Sequence, residues 1–303
     1  MKSSLSSLLA LLAAAIIYSC GNQGPDTTDY TPENSFTEGI EGPAADVDGN
    51  LFAVNYREQG TIGKVGPDGV AGIFLKLPEG SIGNGIRFDL TGNMYIADYM
   101  GHSVYRVPKG AEMAELWARD STMNQPNDLA ISPAGNIYLS DPKWADSTGQ
   151  LWFLGHDRVL RRLESGMGTT NGIEVSPDGS KLYVNESVQR NVWQFTIAPD
   201  GTLAEKTLLI AFEDYGMDGM RCDRVGNLYI ARYDKGTVAV VSPEGKLINE
   251  IVLKGKKPSN ITFGGKDGKS CYVTLADRGC IETFRAPQPG NYFSQVKQSQ
   301  IQN

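Results

Sequence analysis

GNLFAVN at residues 49–55 recurs in variant form down the chain: GNMYIAD at 92–98, GNIYLSD at 135–141, GSKLYVNE at 179–186, GNLYIAR at 226–232 and GKSCYVT at 268–274. Each copy opens with a glycine in a turn and runs into a short β-like stretch. An aromatic stands at its centre: Phe52, Tyr95, Tyr138, Tyr183, Tyr229 or Tyr272. The glycines Gly49, Gly92, Gly135, Gly179, Gly226 and Gly268 are 43, 43, 44, 47 and 42 residues apart. A period in the low forties with several short strands per unit is how a β-propeller reads in sequence. Six units predict an all-β fold, a six-bladed β-propeller.

Working outward from the repeat gives the rest of each blade. A strand precedes the turn: NGIRF, NDLAI, NGIEV, DGMRC and SNITF. Its alternation sets Ile86 with Phe88, and Ile173 with Val175, on one face. Asp/Ser/Pro/Gly turns such as SPDGS and DVDGN join it to the repeat strand. A third strand follows (HSVYRV, GQLWFL, RNVWQF, GTVAVV, GCIETF), and the stretch beyond it supplies the outer strand. Because the hairpin is antiparallel, the repeat strand ends on the face where the first strand starts. Those ends carry Asn55, Asp98, Asp141, Glu186 and Arg232.

Eight residues before each repeat glycine stands a polar residue: Glu41, Asn84, Asn127, Asn171, Asp218 and Asn260. A propeller places these six at one equivalent position around its central channel. Carboxylate and amide oxygens without histidine or cysteine point to a hard cation such as Ca²⁺ and disfavour a dedicated zinc or copper site. With two carboxylates in the ring, an affinity of roughly 10⁻⁵ to 10⁻³ M is expected. Asn-Gly and Asp-Gly are also strong turn dipeptides, so Asn84, Asn171 and Asp218 have a purely local reading. The constant offset and the glutamate at position 41 argue against it.

At 303 residues, 40% hydrophobic and 9% aromatic, the chain has the means for one large core. A formal charge of −7 argues against nucleic acid as a partner. Residues 1–20 read as an export signal, with Lys2, an apolar run over 5–17 and a lipobox-like Ile-Tyr-Ser-Cys ending at Cys20. Cys20 is the expected lipidation site, an ordinary cleaved signal being the alternative. The mature protein would then be exported and anchored to a bacterial membrane, at the periplasm or cell surface, touching the membrane only through that lipid. A flexible tether is expected over 21–35, the propeller over 36–286 and a polar tail, packed or disordered, over 287–303; a monomer is expected. Cys222 falls at a core position, and Cys271 and Cys280 lie on consecutive strands, as a disulfide or as free thiols. His102 and His156 lie in no serine-nucleophile motif.

The segments EGP from Glu41, QPNDLAISPAGN from Gln125, TNGIEVSPDGSKLYV from Thr170, GMDGMRCDRVGNLYIA from Gly216 and PSNITFGGKDGKSCYVT from Pro258 resemble the regucalcin and gluconolactonase family. The resemblance runs over about residues 36–285. It implies one divalent metal in the channel mouth, usually calcium, with Mg²⁺, Mn²⁺ or Zn²⁺ as alternatives. The matching ligand positions are Glu41, Asn171 and Asp218, and Asn127 matches a residue that contacts substrate. The implied activity is hydrolysis of a sugar lactone or similar lactone, with the metal polarising the carbonyl and Asp218 as base or as nucleophile. Asn84, Asp141 and Gln125 complete the expected substrate contacts. Gln125 stands where sugar-lactone enzymes of the family often carry arginine. SDPKW at 140–144 resembles a bacterial gluconolactonase branch, which places Trp144 either in the mouth or against a neighbouring blade. A non-catalytic calcium- or sugar-binding propeller and an organophosphate-type hydrolase are the alternatives.

Overall fold

In the computed structural model, residues 26–302 are described. The expected signal peptide, Cys20 and residues 21–25 lie outside them. Six four-stranded antiparallel sheets surround an axis, each running from an inner strand outward. The inner strands are Phe36–Ala45, Gly83–Phe88, Leu129–Ile131, Thr170–Val175, Met220–Cys222 and Pro258–Gly264. Apolar side chains fill the spaces between blades. Val54 and Ile62 of blade 1 pack with Ile86 and Ile96 of blade 2, and the repeat aromatic Phe52 meets Phe88 edge-on at 5.5 Å. Burying one face of each inner strand this way leaves the other for the channel.

The tether expected over 21–35 does not hold for its later residues. Thr28–Asp29 is the outer strand of blade 6, with Thr28 opposite Thr283 and Asp29 opposite Glu282. Asp29 pairs with Arg278 at 2.8 Å, and the ring of Tyr30 lies 4.7 Å from that of Tyr272. The circle thus closes through strands from both ends of the described chain. The polar stretch expected as a tail forms the helix Asn291–Gln302. It lies across the channel end away from the ring: Tyr292 stacks on Phe88, Val296 is buried, and Gln295 Nε2 donates to Pro177 O. Cys222, Cys271 and Cys280 are buried free thiols. Cys271 sits opposite Phe284 and Cys280 opposite Leu275, so the two thiols never face each other.

The glycines after the ring residues serve close approach between blades. A Cβ on Gly42 would fall 2.0 Å from Asn84 O, one on Gly172 2.5 Å from Asp218 O, and one on Gly219 1.8 Å from Asn260 Cγ. Each of these glycines abuts the next blade's ring residue, and only Gly42 of the three has positive φ, +57°. The Asn-Gly and Asp-Gly pairs therefore bring blades together at the axis. Gly219→Ala is expected to lower stability by about 1–3 kcal/mol through overpacking, read as a lower urea midpoint with an unchanged slope.

Candidate functional site

The ring residues sit where the inner strands lose regular pairing. The ladder skips between Gly83 and Ile86, between Thr170 and Ile173, and on both sides of Glu41. In blades 3 and 5 the paired stretch starts only at Leu129 and Met220, beyond Asn127 and Asp218. Such irregularities re-aim side chains, here into the channel mouth. A cavity of about 240 Å³ opens over them, lined by Glu41, Asn84, Asn127, Asn171 and Asp218 together with Asn55, Gln59, Tyr99, Gln125 and Trp144. Asn260 lies beneath rather than on this surface, fully buried.

Hydrogen bonds select which oxygens face the cavity. Glu41 Oε2 accepts from Asn260 Nδ2 at 2.9 Å and from the Gly42 amide, leaving Oε1 without a donor. Asn171 Nδ2 donates to Ser187 Oγ at 3.0 Å, leaving its Oδ1 bare. Asn127 Oδ1 is likewise buried and unpaired. Asn185 Nδ2 donates to the Asp218 carbonyl at 2.6 Å and fixes that residue's backbone. Burial pushes the Asp218 carboxyl well above the usual carboxylate range; its hydrogen bond with Asn171 eases the shift and the charge of Asp128 adds to it. Glu41 is raised too, by burial first and then by repulsion from Asp218 and Asp128.

Three buried acceptors from three blades, with no donor among them, are an unbalanced set. A hard cation satisfies such a set, since it takes carboxylate and amide oxygens together. No group of three or more His, Cys, Asp or Glu side chains spaced for a metal occurs among the described residues. The oxygens available to a cation here are thus two carboxylates and two amides, a weakly charged set.

Asp141, expected as a substrate contact, does not reach the cavity. It is fully buried and accepts from the amides of Asn124 and Gln125 at 2.9 and 2.6 Å, from Gln150 Nε2 at 2.7 Å and from Trp152 Nε1 at 2.9 Å. Its carboxylate holds the loop that carries Gln125 to the mouth. The other repeat-strand ends do the same in their own blades. Asp98 accepts from Ile82 N, Glu186 from Gly168 N, Arg232 donates to Asp214 O and Asn55 to Gly39 O. Each grips the loop just ahead of its own blade's ring residue, and of the five ends only Asn55 also lines the cavity. Trp144 does reach the mouth, on a single 3₁₀ turn, Trp144–Asp146.

Below the ring the channel is filled by a charged plug that the sequence reading did not single out. Arg87 pairs with Asp128 at 2.9 Å and Arg221 with the same carboxylate at 3.4 Å. Arg87 also donates to Ile173 O, and Arg221 to Asn260 Oδ1 and Pro43 O. Two guanidiniums so reach all six blades. Their sequence signal is a charge at the third residue after the ring position, on the face opposite Ile86 and Phe88.

A family model described as SMP-30/Gluconolactonase/LRE-like region matches residues 40–277. In sequence the chain is 27% identical over 272 residues to the gluconolactonase of Zymomonas mobilis subsp. mobilis, covering 78% of this chain and 76% of that protein. Among solved structures it is similar to a gluconolactonase from Xanthomonas campestris, with a TM-score of 0.73 and 21% identity over 86% of this chain and 89% of that one. It is similar as well to a calcium-binding regucalcin from Agrobacterium tumefaciens str. C58, with a TM-score of 0.73 and 19% identity over 88% of this chain and 96% of that one. At such identities the two structures establish a shared fold.

Proposed function

This chain belongs to the SMP-30/gluconolactonase/LRE-like family, and from that premise we propose that it hydrolyses a lactone with the help of a divalent cation, Ca²⁺ being the expected ion. The observation that carries this reading is the trio of unpaired buried oxygens, Glu41 Oε1, Asn127 Oδ1 and Asn171 Oδ1, in a cavity shared with Asp218. Glu41, Asn171 and Asp218 would hold the cation, with Asn127 open to the same space. When bound, it supplies Lewis-acid polarisation of the lactone carbonyl and charge stabilisation at the developing oxyanion.

The remaining work falls to the chain's own residues. Asp218 takes a proton from the attacking water as the water oxygen bonds to the carbonyl carbon. The ring C–O bond then breaks, and the leaving alkoxide recovers the proton from Asp218, giving the hydroxy acid. Asn84, Asn127 and Gln125 orient the substrate's oxygens, Gln125 from a backbone set by Asp141. Ser187 and Asn260 keep the Asn171 and Glu41 side chains turned so that one oxygen of each stays free. The lipid anchor at Cys20 remains part of this proposal and rests on the sequence alone.

The test is indicator-monitored hydrolysis of a panel of sugar lactones by the purified protein, corrected for spontaneous opening. Chelator is expected to lower turnover at least about 100-fold, with Ca²⁺ restoring it. Ca²⁺ at 100 times its dissociation constant should also add about 2.7 kcal/mol of stability. Turnover indifferent to chelator would overturn the metal assignment. Calcium binding without turnover of any lactone would leave a binding module.

A further inference from the structure

Beside the polar cavity lies a second hollow of about 610 Å³, and the two share Trp144, Asn171 and Asp218 as lining. Its other walls include Val188, Tyr215, Met217 and Tyr233. Three large side chains from three separate loops stay open to solvent there: Trp144 at 44%, Val188 at 52% and Tyr215 at 50%. Single exposed apolar residues are ordinary, but several converging on one concavity mark a binding surface.

This exposure does not come from loose loops. The loop bearing Tyr215 is fastened by the fully buried Arg232, which donates to Asp214 O and Gly216 O and lies 3.8 Å over the Phe212 ring. Arg190 Nη1 adds a bond to Glu213 O at 2.7 Å. Gln189 Nε2 ties the next loop to Ser147 O, beside the Trp144 turn, at 2.9 Å. Arg190, Tyr215 and Asp234, all lining this hollow, have φ of +64°, +43° and +65°. For a residue as bulky as tyrosine that is a strained conformation, of the kind held only where the surroundings enforce it. The inner polar groups are already committed, Ser187 Oγ to Met217 O and Arg190 to Glu213 O. What the hollow offers a ligand is mainly apolar and aromatic surface, continuous with the floor at Asp218.

We propose that the substrate is a lactone bearing an apolar substituent, alkyl or aryl, which lies in this second hollow while the lactone ring sits over the polar cavity. The proposal rests on the lactonase reading for its ring and on Trp144, Val188 and Tyr215 for its arm. A bare sugar lactone, hydroxylated all round, leaves that surface uncovered.

The experiment separates the two claims by measuring binding as well as turnover. Titration calorimetry with Ca²⁺ present follows a series of 5-hydroxy acids, the ring-opened products, with alkyl chains lengthened one carbon at a time. Indicator assays follow the matching δ-lactones. Dissociation constants should fall about fourfold per added methylene until the hollow is filled. Tyr215→Ser and, independently, Val188→Ser should reduce that gain to less than about twofold, while Tyr215→Leu retains it. Affinity that does not change with chain length, or no binding of any member, overturns the proposal. Chain-dependent binding with no hydrolysis sinks the lactonase reading and leaves the subsite standing. Hydrolysis of short lactones with no gain along the series does the reverse.

Discussion

Asp218→Asn should fold like the parent protein and lose about 10²–10⁴-fold in kcat, the range for removing a positioned general base. The substitution keeps the size and the neutral hydrogen-bonding capacity of the side chain and removes the charge. Placement of residue 218 does not depend on that charge. Its amide donates to Ala231 O at 2.9 Å, and its carbonyl accepts from Asn185 at 2.6 Å. Without a cation, Asp218, Glu41 and Asp128 repel one another in a buried space. The variant should therefore melt higher than the parent in chelator and gain less from Ca²⁺. Rate and melting temperature thus move in opposite directions, and a general loss of structure cannot produce that pair. Wild-type turnover in Asp218→Asn would end the base assignment.

Asp128→Ala is expected to be the most damaging single change to stability, at about 3–5 kcal/mol, because it breaks a buried ion pair from one side. Asp128 is fully buried and is the carboxylate that both Arg87 and Arg221 contact. Burial pushes its carboxyl up and the Arg87 guanidinium draws it back. Alanine leaves two guanidiniums at the axis without their counter-charge. It also frees Asn260 Nδ2 of one acceptor, so the orientation of Glu41 should suffer with it. Urea denaturation measures the first effect and Ca²⁺ affinity the second. An exposed pair such as Arg106–Glu115 is screened by solvent and should contribute far less. A loss at residue 128 under about 1 kcal/mol would mean the plug is not what holds the blades to the axis.

The blades were legible in the sequence because a two-residue side-chain period and a repeat in the low forties leave little else to choose. Ring positions were legible for a related reason, their fixed offset from a turn glycine. The function of the glycine after four of the ring residues, Gly42, Gly85, Gly172 and Gly219, was not, since Asn-Gly reads as a turn unless the neighbouring blade is in view. Asp141 shows the same limit. Its place at the rim follows from hairpin direction, but whether its oxygens face a ligand or a backbone loop depends on Asn124 and Gln125, seventeen and sixteen residues away. Arg87 and Arg221 carried a readable sign, two charges on the channel side of otherwise apolar strands. The helix Asn291–Gln302 carried almost none: its packing rests on Tyr292, Phe293 and Val296 within a polar, Gln-rich stretch.

Thr28–Asp29 leaves the ribosome long before its partner strand, Cys280–Arg285. Ile281 N reaches Thr31 Oγ1 across 250 residues of sequence. Blades 1 to 5 are each local in sequence and can pair as they emerge, whereas the seam has to wait for the last blade. Joining such distant ends adds only a slowly growing entropy term, yet it places the slowest contact last. During that wait Thr28–Asp29 has no partner strand and the facing apolar sides of the first and last blades stay uncovered, the species most open to misassociation. Chains cut short before residue 280 should therefore accumulate as aggregates rather than as smaller propellers, because an arc of blades has no way to hide its ends.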